Sequence, residues 1–172
     1  MDIWETERLI LRPLVLDDAA ALYSIYSDPE TMKFMGQAPD SVAQERNNIQ
    51  SHLIHHYERY KVGLWATLLK ENNQLIGRCG LMHKQIEGVP EVELAYLLGR
   101  KYWGNGLATE AATAILQYGI TKCRLGRIVA AIHPQNVASI RVAEKIGMKY
   151  EREVMYGESG RVALYGIKEL HS

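Results

Sequence analysis

The chain is poor in the features that would give it away at a glance. Over 172 residues it has two cysteines, five prolines and no excess of charge, with 20 Lys and Arg against 20 Asp and Glu. Cys79 and Cys123 make no disulfide framework, and Cys79, inside the apolar run 75–83, reads as a core filler rather than a nucleophile. Zero net charge removes the global field that recruits nucleic acid or an anionic membrane, so neither is expected as a partner and any anion must be held by local geometry. No apolar run approaches the roughly 18 residues that span a bilayer. The first eight residues, Met1 to Arg8, lack the basic start and apolar core of a secretory signal, so a reducing cytoplasm is the expected compartment. Repeats, linkers and low-complexity segments are missing too. The length fits a single domain over 1–172, which can bury about 70% of its unfolded surface without disulfides or metals.

What is present is an ordered string at 93–113: an apolar strand-like run, a basic and aromatic turn, Gly104 and Gly106, then an alanine-rich helix. The glycines free the backbone to turn tightly and approach a ligand, and a helix starting near Gly106 leaves its first amides unpaired behind a positive dipole end. That arrangement suits a phosphate or pyrophosphate. A third glycine of the dinucleotide fingerprint does not follow Gly106, and no Gly-Lys-Ser/Thr phosphate loop occurs.

Around this motif the periodicity predicts a strand at 8–14, a helix capped by Asp17 or Asp18 and stopped at Asp28-Pro29, and a loop at 31–39 whose apolar side chains suit a pocket wall. A helix over 41–60 follows, then a hairpin of 64–69 and 75–81 in which Gly77 and Gly80 point to a bulge or a close backbone approach. A strand at 91–98, the glycine turn, a helix to about Cys123, a buried strand 127–133, a helix 137–146 closed by Gly147, and a hairpin of 148–156 with 162–170 complete the order.

That order and the glycine turn resemble the GNAT superfamily of acetyl-CoA-dependent N-acetyltransferases over nearly the whole chain. The segments Thr6–Leu14, Tyr102–Glu110, and Asn136–Ser139 with Glu144–Met148 resemble more narrowly the RimJ/RimL-type branch, which includes acetyltransferases of ribosomal-protein N-termini. The resemblance implies an α/β (mixed α+β), three-layer fold: a twisted sheet of about seven strands, helices on both faces, and a splay where the strand ending at Leu98 parts from the strand ending at His133. It implies acetyl-CoA as cosubstrate, with Tyr96, Leu97 and Leu98 offering main-chain groups to the pantetheine and Trp103, Gly104, Asn105, Gly106, Leu107, Ala108 and Thr109 wrapping the pyrophosphate. Lys101 stands where the family places Gln or Arg, and a lysine there still serves as a point charge. Asn136 is by residue type a helix N-cap and by resemblance a pantetheine contact, two roles that its donor and acceptor ends allow together.

The implied acceptor is a primary amine that attacks the thioester directly in a ternary complex. A protein N-terminus leads by resemblance; an amino acid, polyamine or aminoglycoside is the alternative, and a CoA-binding module without turnover is the non-enzymatic one. Glu93 matches the superfamily's general base by position, against the reading that Glu91 and Glu93 share a solvated strand face. The tyrosine that many members place near the thiol is replaced by Ala143, and by resemblance Ser139 takes a comparable place. Glu153 and Glu158 are further carboxylates. His52, His55 and His56 share a helical face, but no Cys or carboxylate completes a ligand set, so no metal is expected. A homodimer is unsurprising for this branch.

Overall fold

In the computed structural model, which describes residues 3–168, the period-two pattern of the first strand is borne out: Leu9 and Leu11 are fully buried while their neighbours Ile10 and Arg12 are half-buried. The strands are β1 (Trp4–Glu5), β2 (Leu9–Pro13), β3 (Leu64–Leu69), β4 (Leu75–Ile86), β5 (Val89–Leu98), β6 (Arg127–Ile132), β7 (Lys149–Met155) and β8 (Arg161–Lys168). They form one sheet in the order β1-β2-β3-β4-β5-β6-β8-β7, in which only β5 and β6 run parallel. The eighth strand beyond the expected seven is the two-residue β1. Positions 169 and 170, expected to end the last strand, lie outside the described residues.

The helices are α1 (Ala19–Tyr26), α2 (Pro29–Met32), α3 (Val42–His52), α4 (Leu107–Thr121) and α5 (Val137–Lys145). β3 shows why there are three layers. Leu64, Ala66 and Leu68 pack with Leu22, Tyr26 and Ile49 of α1 and α3, whereas Trp65 packs with the Ala111 and Ile115 face of α4. No helix among the described residues is long and apolar enough to cross a membrane.

Two local expectations are corrected. Asp18 does not cap α1 with its side chain; it is buried and takes both guanidinium nitrogens of Arg12 at 2.7 and 2.8 Å, together with the Val15 amide. The helix expected over 41–60 starts at the Ser41 cap but turns π-helical over Leu53–Glu58. There His52 Nε2 accepts from the Leu64 amide at 2.7 Å, and Tyr57 donates to the Leu64 carbonyl, so the widened turn anchors the start of β3.

The close approach expected at Gly77 and Gly80 is present. A β-carbon on Gly77 would overlap the Leu97 carbonyl oxygen, and one on Gly80 the Gly63 carbonyl oxygen. β4 runs on past its pairing with β3 and returns through Glu87-Gly88, both at positive φ (49° and 79°), as β5. This long hairpin was not expected, because the apolar run ends by His83 and the next strand was placed only from 91. β5 and β6 share one bridge, Glu93 to Val129. Beyond it Leu94–Leu97 and Ala130–His133 form opposite walls of a cavity, the splay expected between these strands.

Candidate active site

The glycine turn takes the geometry its sequence requires. Gly104 and Gly106 both lie at φ 76°, and the missing β-carbon of Gly104 faces open space, so backbone conformation alone demands glycine there. Gly106 occupies the N-cap of α4 without a side-chain cap, and Glu110 is the first residue to donate back, to the Gly106 carbonyl at 3.0 Å. The amides of Leu107, Ala108 and Thr109 therefore open outward at the positive end of a 15-residue helix.

The turn is braced from both sides. Trp103 Nε1 donates to the Leu98 carbonyl at 2.8 Å, and Asn105 Nδ2 to the Trp103 carbonyl at 3.1 Å. Arg8 reaches across from the start of β2, donating through one terminal nitrogen to the Asn105 carbonyl at 2.9 Å and through Nε to Glu110 at 2.7 Å. Thr6 and the Arg8 amide complete the shell of Glu110 at 2.6 and 2.8 Å. Burial pushes the Glu110 carboxyl upward, but these hydrogen bonds prevail and hold it below the ordinary carboxylate range. Sequence reading missed this brace, although both ends lie in the segments that carry the resemblance. Lys101 is exposed, with Nζ 4.9 Å from the centre of the Tyr102 ring.

Between β5 and β6 lies a cavity of about 230 Å³ lined by Tyr96, Leu97, Asn136, Ser139 and Glu93, which brings both candidate catalytic residues to one space. Asn136 caps α5, its Oδ1 accepting from the Ser139 amide at 3.2 Å. Tyr96 spans the cleft from β5, its hydroxyl donating to the Ser139 carbonyl at 2.8 Å. Glu93 is 5% exposed, and its Oε2 accepts a hydrogen bond of 2.5 Å from the Tyr156 hydroxyl at the end of β7. It does not share a solvated face with Glu91, which is held by Arg127 at 3.0 Å. Burial pushes the Glu93 carboxyl up; the Tyr156 hydrogen bond and the charge of Lys84 oppose that shift without cancelling it.

Tyr156 was not anticipated: it follows the last residue of β7, next to Gly157, and only the register of the sheet carries it to Glu93. Ala143, at the position of the family's usual tyrosine, is fully buried. The loop expected to line a pocket does so, with Phe34 stacked on His133 at 5.0 Å and Met35 beside it. Glu153 is exposed and pairs with Arg161, and Glu158 is exposed in the turn Gly157–Ser159; neither lines the cavity. His52 stacks on His56 at 4.5 Å while His55 faces outward, and among the described residues no cluster of three or more metal-ligating groups occurs.

A model of the acetyltransferase (GNAT) domain matches residues 8–149. The chain belongs to the GNAT acetyltransferase family. It is 36% identical over 154 residues to the N-acetyltransferase p20 of Bacillus licheniformis, covering 88% of this chain and 84% of that one. A GNAT-family acetyltransferase from Bacillus anthracis shares the fold at a TM-score of 0.82 and 28% identity, over 98% of this chain and 99% of its own. A ribosomal L7/L12 α-N-protein acetyltransferase, RimL, solved with coenzyme A, shares the fold at 0.81 and 17% identity, over 97% and 98%. GNAT enzymes use acetyl-CoA, and this acetyltransferase has a matching cradle: two left-handed glycines, three open helix amides and a cleft between parted strands.

Proposed function

We propose that this N-acetyltransferase belongs to the RimJ/RimL-type branch and acetylates an α-amine, with a protein N-terminus as the leading acceptor. The observation that carries the chemistry is Glu93, a buried carboxyl inside the cleft at the point where β5 and β6 part, held by Tyr156. Acetyl-CoA supplies, when bound, an activated acetyl group on a thiol leaving group. The backbone from Trp103 to Thr109 holds the pyrophosphate and Lys101 adds a point charge. The main chain of Tyr96, Leu97 and Leu98, with the Asn136 side chain, holds the pantetheine arm. The Leu98 carbonyl already accepts from Trp103, which leaves Tyr96 and Leu97 the larger share.

Glu93 takes the proton that the acceptor nitrogen gives up as its lone pair forms the amide bond, and the C–S bond breaks with the electron pair leaving on sulfur. Ser139 donates a hydrogen bond toward that sulfur, which is then protonated from solvent. A carboxyl raised by burial stands closer to an α-amine of pKa about 7.7 to 8.0 than an ordinary one does, so the transfer is less uphill. Near pH 7 roughly a tenth of such an amine is neutral, against well under a thousandth of a lysine. The reading extends to one domain over 1–172 and a cytoplasmic location, supported by the sequence alone; a homodimer would be unsurprising for the branch it resembles.

Thiol release from acetyl-CoA tests the acceptor class with three substrates: a peptide with a free N-terminus, the same peptide blocked at its N-terminus but carrying lysine, and spermidine. The expected result is kcat/KM at least about a hundredfold higher for the free N-terminus, following the neutral fractions. Equal rates on the blocked peptide would overturn the α-amine assignment.

A further inference from the structure

β4 turns Arg78, Met82 and Lys84, residues an even number apart, toward the cavity that contains Glu93. A second cavity of about 240 Å³, walled by α1, α3 and the loop after α2, shares Leu64, Arg78 and Met82 with the first, so Arg78 stands on the partition between them.

Other half-buried arginines of the sheet are locked onto carboxylates. Arg12 holds Asp18 through two nitrogens, and Arg127 holds Glu91 and Glu151. Arg78 differs: among the described residues it makes no ion pair within 4.0 Å; it hydrogen-bonds the Tyr26 side chain, whose ring centre lies 5.4 Å from its guanidinium carbon, and its charge also acts on Glu45, but its Nε is buried with no acceptor. A planar cation that lines a cavity without a carboxylate paired to it is suited to a carboxylate or phosphate. The acid across the second cavity, Glu45, is buried on α3 and hydrogen-bonded by Asn48 at 3.2 Å; burial pushes its carboxyl up, and Asn48 and the charge of Arg78 oppose that shift without cancelling it, with no ion pair to Arg78 within 4.0 Å. Among the described residues the space leading to Glu93 thus carries two cations, Arg78 and Lys84, and no ring of acids of the kind a polyamine would need.

We propose that Arg78 binds an anionic group carried by the acceptor, so that the preferred substrate of this enzyme is a primary amine with a carboxylate or phosphate near it. The inference rests on the amine-acetylating reading above and names its substrate class. The anionic group has two sources, the α-carboxylate of a free amino acid or the side chain of an acidic or phosphorylated first residue of a peptide.

The test is kcat/KM by thiol release, expressed per neutral amine, on pairs that differ only in the anionic group. One pair is an amino acid and its amide, the second a peptide starting with Asp and its Asn counterpart, and the third a peptide starting with phosphoserine and its serine counterpart. Wild-type enzyme is expected to prefer the anionic member of at least one pair by roughly ten- to hundredfold, and the pair that shows it identifies the source. Arg78→Gln should abolish that ratio and Arg78→Lys restore part of it, whatever either does to overall rate. A wild-type measurement avoids dependence on a variant's folding: the N-acetylated anionic product should inhibit at least tenfold more strongly than its neutral counterpart. Acetylation with no preference in any pair, or a preference that survives Arg78→Gln, overturns the role of Arg78 and leaves the acetyltransferase reading standing. Acetyl-CoA binding without thiol release to any amine overturns both.

Discussion

Glu93 and Tyr156 form the most consequential pair of side chains in the molecule. Burial raises the Glu93 carboxyl, and the Tyr156 hydroxyl lowers it part of the way back by donating to the charged form. As the proposed base, Glu93 must be ionised to act, so the acid limb of kcat/KM, expressed per neutral amine, should fall above the ordinary carboxylate range. Tyr156→Phe removes the lowering contact, so Glu93 rises further and the limb moves to higher pH; a profile of kcat/KM against pH for both proteins measures it. A limb that stays in place or moves to lower pH would separate Tyr156 from the base. Glu93 was legible in the sequence because its place before the glycine turn was a position within one segment. Tyr156 was not, because it meets Glu93 across 63 residues and a sheet register that no local pattern reveals. Arg78 escaped notice for the same reason, since strand alternation tells which residues share a face but not which face carries a cavity.

The two kinds of glycine separate at the scale of the elements. Gly77 sits in β4 where a methyl group would collide with the Leu97 backbone, which cannot swing aside as a side chain would. Gly104 has room for a methyl group but holds a left-handed φ of 76°. Gly77→Ala is therefore expected to cost roughly 2–3 kcal/mol, lowering the Tm by about 5–10 °C. Gly104→Ala should cost about 1–2 kcal/mol from strain alone, and should weaken acetyl-CoA binding because the strained turn is the proposed pyrophosphate cradle. Thermal denaturation and direct titration with acetyl-CoA check both, and an equal loss of stability would contradict the distinction. The glycine turn, α4 and the two hairpins were readable because each depends on residues near one another in the chain. The π-helical turn at Leu53 and the Arg12–Asp18 pair were not, since each answers to a distant demand: the start of β3 must be anchored, and an arginine leaving β2 must be paired.

For the whole molecule, the sheet is continuous yet nearly divided, with one bridge between β5 and β6. The halves are tied elsewhere. Arg127 joins β6 to Glu91 of β5 and Glu151 of β7, and Glu87 at the β4–β5 turn takes Arg152 at 2.6 Å and the Met155 amide at 2.9 Å. The ties let the strands stay apart over the cavity without the sheet opening further. The splay was legible because two apolar strands flank the glycine turn in an order shared with a known family. The acceptor side was not, because the loop at Phe34, the β4 wall and the end of β7 come from three distant parts of the chain. The most direct test of the account compares wild type with Glu93→Gln by thiol release from acetyl-CoA in the presence of a free α-amine. The account predicts acceptor-dependent release by wild type and a fall in kcat of about 10²- to 10⁴-fold in the variant, with the dissociation constant for acetyl-CoA unchanged. Turnover by Glu93→Gln at the wild-type rate would contradict it.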